Sequence, residues 1–238
     1  MQNYGMGKMT NERCLGLIGG LGVGATIHYY QELVKEYAAR GCVPDILIIH
    51  ADVNRVLRDA AAGDTRQLAA YLAEFLRRLA AAGARIAAIP AVTPHICAAE
   101  LLELSPILLV SLPGEILREI QARTLKRVAL FGTRFTIESR MFGLLPSVEV
   151  VTPKADEVDS IHEAYVQIVN AGRGTEEHYQ MLRGIAHTIC ERDKVDAIIL
   201  GGTELSLVFN ESNTDFPHIN GARVHLTAIM RRLFAERS

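Results

Sequence analysis

Short, wholly apolar runs alternate with amphipathic stretches along most of the chain. CLGLIGG precedes a helical stretch at 26–39, and DILIIHADV precedes a longer one at 64–82. In the longer stretch Leu68, Leu72, Phe75, Leu76 and Leu79 recur at helical spacing, which predicts one apolar stripe laid against a sheet, and Gly83 ends it. RIAAIPAV, ILLVSL, RVALFGT and VEVVTP follow, then two further helical segments, then DAIILGG. Runs that are apolar throughout, rather than alternating, suit parallel strands covered on both faces. The rhythm predicts an α/β fold built from parallel sheets flanked by helices.

The two halves of the pattern resemble each other. LGLIGG at Leu15 answers VALFGT at Val128, and AAIPAVT ending at Thr93 answers AIILGGT ending at Thr203, with nearly the same separation in both cases. A duplicated unit related by a pseudo-two-fold is therefore expected, with the ends of four equivalent strands facing one another across a ligand cleft. The chain is expected to cross between halves near 105–113 and to return near Phe216. This gives a first α/β domain at 14–109 plus 217–238, a second at 110–216, and an N-terminal extension at 1–13.

Charge narrows the partners. The 238 residues carry a formal charge of −2 without a dense Lys/Arg cluster, so nothing points to nucleic acid or to an anionic membrane surface. The opening MQNYGMGKMTNER has no apolar core of a secretory signal, and no run approaches the roughly 18 apolar residues of a spanning helix. A cytoplasmic protein with a small-molecule partner is expected. Cys14, Cys42, Cys97 and Cys190 are scattered without metal-ligand spacing and read as reduced, mostly core residues; no metal is expected.

The candidate chemistry lies in the strand-to-helix turns. The first, GGLGVGAT, places Gly20 and Leu21 before a helix whose N-terminal N–H groups suit an anion, or else forms a tight turn with close packing. It does not meet the dinucleotide fingerprint, because its glycines fall at 20, 22 and 24. The next turn contains Ala91, Val92, Thr93, Pro94 and His95; Thr93 suits an N-cap or a ligand contact, and His95 a base or a carboxylate contact. The mirrored turn contains Gly202, Thr203 and Glu204, and a glutamate at the mouth of an apolar strand is not there for packing. Thr133 and Thr136 offer hydroxyls or a helix cap. His162 and Tyr165 share a helix face. Asp52, Asn54, Arg55, Asn220 and His225 complete the polar candidates.

Taken together and in order, LGLIGGLGVGATIHYY, IPAVTPH, LFGTRFT and LGGTELSLVF resemble the PLP-independent aspartate/glutamate racemases from Leu15 to about Met230. The resemblance implies two pseudo-symmetric α/β domains, an active site between them, no cofactor and a homodimer. It also implies a small carboxylate or amino-acid substrate. In that family two cysteines flank the substrate α-carbon, because a single base tends to return the proton to the face it left. The matching positions here are Ala91 and Gly202, the asparagine after the first cysteine is Val92, and the aspartate near the last helix is Asn220. Cys97 lies about a turn away from the cleft. The expectation is a racemase or isomerase of a small carboxylate with His95 and Glu204 as acid/base groups, and Gly20, Leu21, Val92, Thr93, Thr133, Thr136, His162 and Thr203 binding substrate. The alternative is an inactive paralogue that binds a carboxylate.

Overall fold

A computed structural model describes residues 13–235. The chain begins with β1 (Leu15–Gly19), α1 (Val23–Ala39), β2 (Ile46–His50), α2 (Val53–Ala61), α3 (Thr65–Ala81) and β3 (Ile86–Ala88). A 3-10 turn at Thr93–Cys97 leads into α4 (Ala98–Leu104), β4 (Leu108–Val110) and α5 (Leu112–Ala122). The second half runs β5 (Arg127–Phe131), α6 (Arg134–Glu138), β6 (Glu149–Val151), α7 (Ala155–Ala171), α8 (Glu176–Asp193) and β7 (Ala197–Leu200). Another 3-10 turn, Thr203–Leu207, precedes β8 (His218–Asn220) and α9 (Gly221–Leu233). Residues 1–12, most of the expected N-terminal extension, lie outside the described residues.

Two four-stranded parallel sheets result, ordered β2-β1-β3-β4 and β6-β5-β7-β8. The orders superimpose strand for strand: β1 corresponds to β5 and β3 to β7, as the matched sequence strings predict. Alternation along β1 sends Leu15 and Leu17 to one face and Ile18 to the other. The first face packs Tyr29, Leu33 and Tyr37 of α1 with Leu226 and Ile229 of α9. The second packs the predicted α3 stripe, including Leu68, Leu72 and Leu76. Gly16 allows α3 this close, since an added Cβ would meet Leu79 at about 3 Å. The second sheet is covered by α5, α7 and α8 through Ile116, Ile161, Ile168, Leu182 and Ile189.

The pattern and the structure differ in four places. α1 starts at Val23 rather than 26, because Gly22 is extended and its carbonyl accepts the Thr26 N–H at 3.0 Å. Thr93 caps no helix; the segment after Val92 is a 3-10 turn without a side-chain cap. The edge strand β2 is not covered on both faces, and Ile48 is 43% exposed. The strand β8 has no counterpart in the pattern; it closes the second sheet, and α9 then crosses onto the first. No helix among the described residues is long and apolar enough to span a membrane.

Candidate active site

The C-terminal ends of β1, β3, β5 and β7 converge on one cavity of about 230 Å³. The first sheet's turns bring Leu21, Ala91, Val92, Thr93 and Pro94 to it; the second brings Thr133, Gly202, Thr203 and Glu204. Helix α2 adds Val53, Val56 and Leu57, and α7 adds Tyr165, Val166, Val169 and Asn170. The Thr203 hydroxyl lies 3.3 Å from the Pro90 carbonyl, a polar contact between the two halves at the cavity wall.

Glu204 is the most heavily engaged group there. Its Oε2 accepts the Tyr165 hydroxyl at 2.5 Å and lies 3.1 Å from the Thr203 hydroxyl. Its Oε1 rests against Gly22, where an added Cβ would collide with it. The acidic group at the start of α1 is therefore the chain's own Glu204 carboxyl, in the place where the glycine turn suggested a ligand. Burial raises the Glu204 pKa, while the Tyr165 hydroxyl, the Thr203 hydroxyl and backbone amides including that of Ala25 favour its charged form. Tyr165 is pushed well above the usual phenol range by burial and then by the Glu204 charge.

A side chain at Gly202 would run into Tyr165: an added Cβ would lie no more than 2.8 Å from three ring carbons. Thr133 caps α6 by accepting the Thr136 N–H at 3.1 Å, and the two hydroxyls are 2.9 Å apart. Both border the cavity.

Other sequence candidates lie elsewhere. His95 is behind the wall: its Nδ1 donates to the Ala91 carbonyl at 2.9 Å and its Nε2 accepts the Leu112 N–H at 3.4 Å. With both nitrogens occupied and burial lowering its pKa to about 4, it ties the Ala91 turn to the start of α5. His225 does similar work, donating to the Val110 carbonyl at 2.9 Å and accepting the Tyr29 hydroxyl at 3.1 Å. His162 accepts the Arg134 N–H at 3.3 Å away from the cavity. Gly20, at φ +83°, sits under the His50 ring and gives its N–H to Thr26. Asp52 and Asn220 cap α2 and α9. The Arg55 guanidinium lies over the Tyr71 ring, 4.1 Å from its centroid. Cys97 is fully buried, donates to the Pro94 carbonyl and is pushed up to about 12 by burial.

Apart from Tyr165, the α2 and α7 lining was not expected from the motifs. Its only sequence signal is apolar residues on outward helix positions, of which Leu57 and Val166 are exposed.

Two α/β domains with a cavity at the joined strand ends define a class of protein that holds a small ligand between its halves. The family model for Asp/Glu/Hydantoin racemase matches residues 18–229, and the chain belongs to that family. Among solved structures, a putative Asp/Glu racemase from Yersinia pestis superposes with a TM-score of 0.78 at 22% identity, covering 93% of this chain and 99% of its own. An aspartate racemase homologue from Pyrococcus horikoshii OT3 gives 0.77 at 21% identity with the same coverage. The fold is also similar to that of arylmalonate decarboxylase, with a TM-score of 0.55 at 15% identity, covering 94% of each chain.

Proposed function

We propose that this chain is a cofactor-independent enzyme acting at the carbon beside the carboxylate of a small acid, and that it handles the proton from one face only. One observation carries the reading. Among the described residues, the ionisable side chains bordering the cavity are Tyr165 and Glu204, and both stand on the second-half wall. The facing wall offers Leu21, Ala91, Val92, Thr93 and Pro94, none of them ionisable. Ala91 and Gly202 occupy the positions read as the family's two cysteines, so the opposed pair of bases needed for inversion is missing.

Substrate size and polarity follow from the lining. The cavity lies below the roughly 300–1,000 Å³ of pockets for drug-sized ligands. The Thr93, Thr133 and Thr136 hydroxyls suit a carboxylate, and Val53, Leu57, Val92 and Val169 suit an apolar remainder. Family names such as aspartate racemase and arylmalonate decarboxylase bracket the chemistry without fixing it, since one fold serves several reactions.

Each enantiomer of a panel of small amino and hydroxy acids, incubated with the protein in D2O without added cofactor, tests this by proton NMR. The α-proton signal of a substrate should fade while its configuration is kept. Conversion of one enantiomer into the other would contradict one-faced transfer.

We further propose that the chain is a cytoplasmic homodimer. Val23, Ile27 and Tyr30 are 57%, 52% and 47% exposed and line one face of α1. Sedimentation should give a dimer mass, and Ile27→Glu should shift it toward the monomer; an unchanged mass would exclude this face.

A further inference from the structure

Resting on the reading of the cavity as a carboxylate site, its chemistry divides unequally between the two ionisable groups. Glu204 is 2% exposed and its oxygens face inward, one taking the Tyr165 hydroxyl at 2.5 Å and approached by Thr203, the other packed on the Gly22 turn. It keeps little surface with which to meet a ligand. Tyr165 is also buried, at 8% exposed, but it borders the cavity, and its ring fills the space a side chain on Gly202 would occupy. Position 202 is where the sequence pattern puts a family cysteine. The missing side chain and the inserted ring are thus complementary: glycine at 202 makes room for Tyr165, whose hydroxyl-bearing ring carbon would lie 2.7 Å from a Cβ at that position.

We infer that Tyr165 is the catalytic side chain this cavity presents to the ligand's α-carbon, and that Glu204 is the positioning residue that orients it and receives its proton. The step balances within the chain. The α-proton moves to Tyr165 Oη as the phenol proton moves to Glu204 Oε2, and the electron pair of the broken C–H bond spreads into the ligand's carboxylate. The reverse transfer restores the C–H bond on the same face. On the opposite wall Leu21, Ala91, Val92 and Pro94 bear no side-chain proton to give, and the Thr93 hydroxyl is assigned to the ligand's carboxylate.

The test uses the full chain labelled with [ζ-13C]tyrosine and 15N, with the Tyr165→Phe spectrum identifying the Tyr165 signal. Phenylalanine keeps the ring that packs on Gly202 and removes only the hydroxyl. Both enantiomers of aspartate, glutamate, alanine, leucine, lactate and mandelate serve as probes, and the Thr133 and Thr203 amides report occupancy. The expected result is that any acid moving those amides also moves the Tyr165 carbon. Its α-proton exchange in D2O should fall at least about 100-fold in Tyr165→Phe while its Kd changes less than about tenfold. Gly202→Ala should displace the Tyr165 signal in the free protein and slow exchange as well.

Amide shifts with a silent Tyr165 carbon, or undiminished exchange in Tyr165→Phe, would overturn the assignment of Tyr165 and leave the carboxylate site standing. An acid that moves both signals yet keeps its α-proton in the unsubstituted chain would overturn the proton step. If no acid moves any of these signals, the carboxylate reading falls and this inference with it.

Discussion

Glu204 has Tyr165 and its neighbour Thr203 on one oxygen and the Gly22 turn against the other, so its environment is set largely by two segments distant in sequence. Gly22 is the more restrictive of the two, because it is in extended conformation and any residue could adopt its backbone, yet a methyl there would strike the carboxylate. Gly22→Ala should therefore cost about 1–3 kcal/mol through overpacking, measured by urea unfolding, and should weaken carboxylate binding by displacing Glu204. A variant as stable as the parent would show that Glu204 moves aside freely. In the sequence Glu204 reads as a residue at the mouth of an apolar strand that is not there for packing, and in the fold it accepts the Tyr165 hydroxyl. Nothing in the sequence shows that Tyr165 reaches the same place, because the contact between α7 and the turn after β7 exists only in the folded chain. His95 reads in the sequence as a base or a carboxylate contact, and in the fold both of its ring nitrogens take backbone partners.

Among the elements, those readable in advance are the ones whose burial imposes a pattern. Strands β1, β3, β5 and β7 are central in their sheets and apolar along their length, and α3 carries its stripe over 17 residues. Three-residue β8 was not readable, since a short run after Pro217 carries no periodicity and its place depends on β7 beside it. Its end matters for α9: the Asn220 side chain accepts the Arg223 N–H at 3.1 Å and lies 3.0 Å from the Ser206 hydroxyl. Asn220→Ala should lose about 1 kcal/mol from the cap alone, seen as a lower urea midpoint, whereas Asn220→Asp should keep most of it. Equal losses in the two variants would contradict the cap account, because aspartate keeps an oxygen able to accept both the Arg223 N–H and the Ser206 hydroxyl.

For the molecule as a whole, buried histidines make stability depend on pH. His95 and His225 are held at about 4 and about 3 by burial, against 6.5 in an unfolded chain. Between those limits the unfolded chain binds protons that the folded one refuses, so stability is fullest above pH 6.5 and falls on acidification toward 4 and 3. From pH 7 to 5.5 the pair should cost on the order of 2 kcal/mol. Glu204, whose pKa is raised, acts in the opposite sense, so the comparison of interest is His225→Gln, which should show a shallower loss than the parent over the same interval. Identical slopes would remove His225 from the account. The histidines, the Thr203 contact with Pro90 and α9 together tie the halves around the cavity, and no window of sequence displays that arrangement.

The most direct measurement is proton NMR in D2O of separate enantiomers of small carboxylic acids with the unsubstituted protein and no cofactor. One-faced chemistry predicts that at least one acid loses its α-proton signal while chiral chromatography finds the starting enantiomer unchanged. Appearance of the opposite enantiomer at a rate matching exchange would contradict it, because a second proton-bearing group would then have to act from the wall formed by Ala91 and Val92.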